Sequence, residues 1–276
     1  MLNILFFGDV VGSAGRTAVA RILPEWKRQY GADFIIANGE NIAHGKGVTR
    51  ETLEELLRAG TDAVTSGNHV WSFPETLEIL QEGSLPLLRP ENYSKKLPGG
   101  GVRSFTVGTR RLLLVNLMGQ VHMHVTLNSP FEAIDEILEV YALPGDADAR
   151  STKEVAHAIV VDWHAEATSE KVAMGWHLDG RVSAVLGTHT HVPTADERVL
   201  PNGTAFQCDV GMVGARNSIL GVEIQSNLKR FRLQVPQKLT VVESSPIDVS
   251  AALVTIDAST GLATGIRRLH QTVDIG

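Results

Sequence analysis

Cysteine is nearly absent from this chain. Cys208 stands alone among 276 residues, which excludes an intrachain disulfide and removes any argument for a disulfide-stapled secreted domain. Long apolar runs are absent as well: nothing approaches the roughly 20 consecutive apolar residues that span a bilayer. The opening apolar run, Leu2 to Phe7, is too short for a signal peptide and lacks its charged-then-apolar layout, and Asp9 interrupts it. A cytoplasmic location without a membrane partner is therefore expected. A basic face is missing too. The net charge is −6, and basic residues gather only in short clusters such as Lys95-Lys96 and Arg110-Arg111, where a duplex-binding protein carries a basic stripe. Duplex nucleic acid is not an expected partner. An acidic chain that binds phosphate must do so locally, with metals or a few donors.

What is present reads as globular. Apolar residues are 43% and charged residues 20% of the chain, enough for a core that needs no disulfide or structural metal. Residues 1–276 read as one domain, without internal repeats. Asn3–Phe7, Asp33–Ala37, Asp62–Thr65, Leu112–Asn116, His157–Asp162 and Val182–Leu186 read as strands. Helices are expected over Arg16–Gln29, Thr49–Ala59, Pro74–Gln81 and Phe131–Val140, with Thr49 and Thr52 as N-cap candidates for the second. Strands alternating with helices predict an α/β class with parallel pairing. Near the end, Leu233–Glu243, Asp248–Ile256 and Gly261–Leu269 read as strands added antiparallel to a second sheet. The Pro- and Gly-rich segment Ser84–Gly108 reads as a long functional loop.

The polar residues that carry chemistry share one kind of place. Asp9 follows the first strand, and Glu40 and Asn41 follow the second. Asn68 and His69 follow the third. His164 follows His157–Asp162, and His189 and His191 follow Val182–Leu186. Loops at the carboxyl ends of strands form the binding crevice of open α/β sheets. Taken singly, each has an ordinary structural reading. Asp9 serves equally as a turn former or helix cap, Gly67-Asn68 as turn chemistry, and His164 as a polar residue at a strand end. His189 and His191 would face one pocket if their segment were extended, since residues i and i+2 share a side. The weight lies in the conjunction of five strand ends. Mixed carboxylate, amide and imidazole donors suit borderline metals such as Fe, Mn or Zn, and no thiolate is offered for a structural zinc. A carboxylate bridging two such ions would position a hydroxide for phosphoryl transfer.

The ordered segments Gly8-Asp9, Gly39-Glu40-Asn41, Gly67-Asn68-His69, His164 and Gly187-Thr-His189-Thr-His191 resemble the motifs of the calcineurin-like metallophosphoesterases. Two departures stand out. Val11 occupies the position of a first-motif histidine, and Glu40 replaces the usual bridging Asp. Both departures are similar to the YmdB-like phosphodiesterase branch, as are Ala37 to Gly47, Arg89-Pro-Glu-Asn-Tyr93 and Asp209-Val-Gly-Met-Val-Gly214. The resemblance implies a four-layer αββα sandwich of two facing mixed sheets flanked by helices, with two di- or trivalent metal ions. Fe or Mn is expected first, with Zn or Mg as alternatives. It further implies that Asp9, Glu40, Asn41 and His191 hold one metal and Glu40, Asn68, His164 and His189 the other. His69 would protonate the leaving oxygen. The implied activity is hydrolysis of cyclic nucleotides, 2′,3′-cyclic and 3′,5′-cyclic forms included, or of related phosphoesters.

Other residues remain open. His44 and Lys46, in the Gly-rich loop after Glu40, are candidate substrate contacts or polar loop tips. His122 and His124 line a pocket or lie on a solvated loop. Three other functions compete with the phosphodiesterase reading: a phosphomonoesterase or 5′-nucleotidase-like enzyme, a metal-dependent cyclic-nucleotide binding protein, and a Rossmann-type enzyme. The spacing of Gly8, Gly12 and Gly15 disfavours the last, and pure binding has no use for an acid at His69. Exposed apolar residues among the C-terminal segments are compatible with self-association.

Overall fold

The computed structural model describes residues 1–146 and 153–276. The chain builds one sheet, then a second, then returns to the first. The first pass runs β1 (Leu2–Val10), α1 (Gly12–Tyr30), β2 (Phe34–Asn38), α2 (Arg50–Ala59), β3 (Ala63–Thr65) and α3 (Pro74–Glu82). β1 is apolar in both phases of its alternation: Leu5 and Phe7 face the helices, while Leu2, Ile4 and Phe6 face the other way. That pattern belongs to a strand covered on both faces. Phe7 stacks on Trp26 of α1 with ring centroids 5.7 Å apart. Of the two N-cap candidates, Thr49 caps α2, and Thr52 at the third helical position completes a reciprocal arrangement with it.

The second pass builds β4 (Val102–Val107), β5 (Arg110–Met118), α4 (Pro130–Val140), the short pair β6 (Tyr141–Ala142) and β7 (Glu154–Val155), β8 (Ala158–His164), α5 (Thr168–His177), β9 (Ala184–Thr188), β10 (Arg198–Val199) and β11 (Ala205–Gln207). β12 (Met212–Ala215), α6 (Ile224–Leu233), β13 (Ile247–Ile256) and β14 (Ala263–Val273) complete the chain. The first sheet has the order β14-β13-β12-β1-β2-β3, and the second β10-β11-β9-β8-β5-β4. Both are mixed: the first is parallel from β12 through β1 and β2 to its edge β3 and antiparallel at β13 and β14, and the second has a parallel centre with antiparallel edges. Three apolar layers hold the sandwich together. One lies between the first sheet and α1–α3, one between the sheets, and one between the second sheet and α4–α5. This is the four-layer αββα architecture.

Three expectations need correction. Leu233–Glu243 is not a strand. Leu233 ends α6, Gln234 turns with φ 55°, and Pro236 follows without an N–H to donate to a ladder. Only an isolated bridge, Val222 to Val241, remains there. The last two strands do not extend a second sheet. β13 pairs antiparallel with β1 over Leu2 to Phe7, so both terminal strands belong to the first sheet. Finally, Ser84–Gly108 is only partly loop, because β4 occupies its end.

Candidate metal centre

The carboxyl ends of β1, β2 and β3 in one sheet and of β8 and β9 in the other meet at one edge of the inter-sheet layer. Each strand end delivers its side chain there. Asp9 is the penultimate residue of β1 and His164 the last of β8, both fully buried. Glu40 and Asn41 follow β2, where Asn38 Oδ1 accepts from the Glu40 N–H at 3.0 Å and fixes the turn. Asn68 and His69 lie in the turn after β3, and the His69 N–H donates to Glu40 Oε2 at 3.2 Å. Gly67 precedes them because nothing larger fits: a Cβ there would overlap His164 Nε2 and Glu40 Oε2. His189 and His191 follow β9.

The expected extended segment at His189 and His191 is absent. Both residues have positive φ, 98° and 66°, an uncommon conformation for a side-chain-bearing residue. The tight turn, not strand alternation, brings the two rings to the cluster. Two overlapping donor groups result. Glu40, His164 and His189 form one, and Asp9, Glu40 and His191 the other, the ligand-capable atoms of each lying within 4.8 Å of one another. Glu40 is common to both. Asn68 Oδ1 lies 3.1 Å from His164 Nε2, and Asn41 Oδ1 3.3 Å from His191 Nε2. Asn41 Nδ2 donates to the Gly45 carbonyl at 2.9 Å, which turns its oxygen toward the cluster.

The hydrogen bonds behind the rings decide what the rings present. Asp162 Oδ1 accepts from Thr188 Oγ1 at 2.7 Å, which leaves the hydroxyl oxygen to accept from His164 Nδ1 at 2.9 Å. His189 Nε2 lies 3.1 Å from Glu166 Oε2, and His191 Nδ1 lies 3.3 Å from the Leu220 carbonyl. Each imidazole thus has an acceptor behind one nitrogen, and its other nitrogen points inward, where it can offer a lone pair to a cation. Those inward nitrogens face carboxylate and amide oxygens: His164 Nε2 is 3.1 Å from Glu40 Oε2 and from His189 Nδ1. Among the described residues, Asp9 Oδ1 is buried without a hydrogen-bond partner, although Asp9 Oδ2 accepts from the His189 N–H at 3.1 Å. Two backbone N–H groups, of His69 and His189, are too few donors for buried carboxylates and inward ring nitrogens this close together, and cations would satisfy the rest. The donor set therefore fits two metal ions.

The electrostatics agree. Burial raises Asp9 well above the usual carboxylate range, and the nearby Asp209 and Glu40 add to it. Burial opposes ionisation of Glu40 also, but His164 and His189 outweigh it and hold Glu40 well below its ordinary value. Burial lowers His164 to about 4 and lowers His191, so both stay neutral at pH 7. Burial works to lower His189, yet Glu40, Asp9 and Glu166 win and raise it. The surrounding carboxylates thus favour positive charge at this position.

A cleft of about 960 Å³ opens in front of the cluster, walled by Glu40, His69, Glu166 and His189 on one side and Leu220, Val222 and Leu239 on the other. His44 and Lys46 are exposed on its lip. His122 and His124 are exposed and are not part of this wall. Val11, where the broader pattern has histidine, is buried and packs toward Gly214 and Gly221. The residues behind the cluster, Asp162, Thr188, Glu166 and Lys171, are ones that sequence reasoning misses. The strand-end position of Thr188 and the spacing of Glu166 from His164 are the only signals that point to them.

A family model described as YmdB-like protein matches residues 5–269. The chain is 42% identical over 269 residues to a Bacillus subtilis (strain 168) protein named 2′,3′-cyclic-nucleotide 2′-phosphodiesterase, covering 97% of this chain and 96% of that one. Among solved structures, a hypothetical protein from Thermus thermophilus aligns with TM-score 0.88 at 40% identity, covering 98% of this chain and 99% of that one. A Mycoplasma pneumoniae protein described as a novel phosphatase aligns with TM-score 0.88 at 30% identity, covering 99% and 94%. Likeness on this scale takes in every strand end that feeds the cluster, and the chain belongs to the YmdB-like family.

Proposed function

We propose that the protein is a two-metal phosphodiesterase acting on cyclic nucleotides, with 2′,3′-cyclic forms as the principal substrates. One observation carries the reading: two donor groups share Glu40, and every imidazole in them turns a ring nitrogen inward. The Bacillus subtilis relative, named for hydrolysis of 2′,3′-cyclic nucleotides, supports the substrate class. Asp9, Glu40, Asn41 and His191 would hold the first ion, and Glu40, Asn68, His164 and His189 the second. Carboxylate, amide and imidazole donors favour Fe or Mn, with Zn or Mg as alternatives. When bound, two such ions supply Lewis acidity and neutralise charge developing on phosphate oxygens.

The chain's own residues do the rest. Opening a cyclic diester breaks one phosphorus–oxygen bond to the ribose, and the departing alkoxide needs a proton. His69 lines the cleft beside Glu40 and belongs to neither donor group, so it is the candidate donor of that proton. Glu166 orients His189. His44 and Lys46 on the lip are placed to meet the nucleotide.

The test is a substrate panel on protein of measured metal content, containing 2′,3′-cyclic AMP, 3′,5′-cyclic AMP and phosphomonoesters. Hydrolysis of the 2′,3′-cyclic diester is expected, with loss of both metals and of activity in Glu40→Gln. Preference for monoesters would favour a phosphatase. No turnover of any diester by protein holding two metal equivalents would overturn the reading.

A further inference from the structure

The segment from α6 to Leu239 does not look like the rest of the chain. Residues 224–239 contain Lys229, Arg230, Arg232 and Lys238 and no acidic residue, in a chain of net charge −6. α6 buries only Asn227. Phe231 is 68% exposed, and Leu228 and Leu233 are exposed beside it. Among the described residues, none of the four cations is paired with a carboxylate; Arg230 instead lies over the Phe231 ring at 6.0 Å. This segment forms the outer wall of the catalytic cleft. Arg230, Gln237 and Leu239 line both that cleft and a second cavity of about 670 Å³, which Phe231 also lines. The two cavities thus share this wall: Arg230 and Lys238 face the cleft in front of the cluster, and Lys229 and Arg232 lie on the same helix outside both linings.

A mononucleotide leaves this wall without a use. The inner cleft, at about 960 Å³, already has the volume of a complete small-molecule site. A 2′,3′-cyclic mononucleotide has one phosphate, and that phosphate sits at the metals. Cations farther along this wall need further phosphates. The geometry points to an oligoribonucleotide whose 3′ end carries a 2′,3′-cyclic phosphate as the substrate of this cleft. Such ends form when a ribose 2′-hydroxyl attacks the adjacent phosphodiester and expels the next nucleotide's 5′-oxygen. The terminal cyclic phosphate would enter the metal cluster. Upstream phosphates would follow Arg230, Lys238, Lys229 and Arg232, and an upstream base would stack on Phe231, since exposed aromatics beside cations are the platform of single-strand binding. Water adds across one ring phosphorus–oxygen bond, its oxygen ending on phosphorus and a proton on the departing ribose oxygen. The product is a terminal phosphomonoester, with no redox partner required.

Two other occupants fit less well. A second copy packed on this face by two-fold symmetry would set the same four cations against themselves. An anionic membrane suits a basic amphipathic helix, but gives no reason for Arg230 to wall the catalytic cleft.

The inference rests on the phosphodiesterase reading, and the experiment separates the two. Full-length, metal-loaded protein is assayed on 2′,3′-cyclic AMP and on a tri-adenylate ending in a 2′,3′-cyclic phosphate. The trinucleotide is expected to have a kcat/KM at least about tenfold higher, the scale of one base-stacking contact. Phe231→Ala and the pair Arg230→Glu with Lys238→Glu should each erode that ratio. Binding is read separately by fluorescence anisotropy of a 5′-labelled hexa-adenylate ending in a 3′-phosphate. Four phosphate contacts predict a slope of log affinity against log salt of about −3, shallower in the charge-reversal variant. Equal kcat/KM for both substrates with a flat salt dependence overturns the inference and leaves the phosphodiesterase standing. Sedimentation with phosphatidylglycerol vesicles that the hexa-adenylate does not compete away overturns it in favour of a membrane. Turnover of neither substrate overturns both readings.

Discussion

Lys171 and Asp209 form an ion pair of 2.6 Å with each side chain only 1% exposed. The pair grips the turn that carries two of the candidate ligands. Lys171 Nζ donates to the Thr188 carbonyl at 2.7 Å, just before His189. Asp209 accepts from the Thr190 N–H at 3.1 Å and from its hydroxyl at 2.7 Å, between His189 and His191. The positive φ of both histidines costs on the order of 1–3 kcal/mol each, and the ion pair holds the turn against that cost. Lys171→Met leaves Asp209 buried and unpaired, so a loss of roughly 3–5 kcal/mol in unfolding free energy is expected. Denaturant melts measure it. A loss below about 1 kcal/mol, with normal metal content, would contradict the brace.

Asn41 is the proposed substitute for the ligand that Val11 cannot provide. Its oxygen is aimed at His191 by the bond from Nδ2 to Gly45. Asn41→Ala should weaken one of two metal equivalents and spare the other, as read by metal titration. Asn41→Asp should recover or tighten that site, because it keeps the oxygen and adds charge. Equal weakening of both sites by Asn41→Ala would move the residue away from the first metal.

His69 tests catalysis against binding. His69→Ala should keep two metals and bind substrate while turnover falls about 10²–10⁴-fold, the usual contribution of a positioned acid. The loss should shrink for a p-nitrophenyl ester, whose leaving group needs little protonation. An equal loss on both ester types, or loss of a metal, would refute the proton-donor assignment.

Metal removal should make stability pH-dependent. In the metal-free protein Asp9 is raised by burial, Asp209 and Glu40. Burial opposes the charged form of His189, but the surrounding carboxylates raise it from 6.5. A raised folded-state pKa contributes stability that is complete below the unfolded value and lost as pH rises through the folded one. His164 and His191 are lowered from 6.5, so above that pH they are neutral in both states and add no slope. Chelated protein is therefore expected to lose thermal stability as pH rises above 6.5. Metal-loaded protein should lose less, because cations replace the proton. Calorimetry with and without chelator decides the matter, and parallel curves would count against the metal centre.

The local pattern of the sequence carries most of the α/β core. Apolar runs bounded by Gly-polar turns mark β1, β2, β3, β5, β8 and β9, because strand burial and turn chemistry are short-range properties. It also puts Asp9, Glu40, Asn68, His164 and His189 at strand ends. Other elements escape it. The end of α6 reads as the start of a strand, since its apolar residues face solvent and the usual link between hydrophobicity and burial fails there. α5 gives no clear local signal, with Lys171 facing inward.

Only the tertiary structure decided how those residues meet. Which sheet receives β13 and β14 depends on pairing between Leu2 and Ile256, residues at opposite ends of the chain, and no local signal encodes a partner that distant. The inward ring nitrogens of His164, His189 and His191 depend on Thr188, Glu166 and Leu220 behind them. Residue type alone made these histidines metal-capable. Their direction came from hydrogen bonds across turns and sheets, because an imidazole presents whichever nitrogen its second partner leaves free.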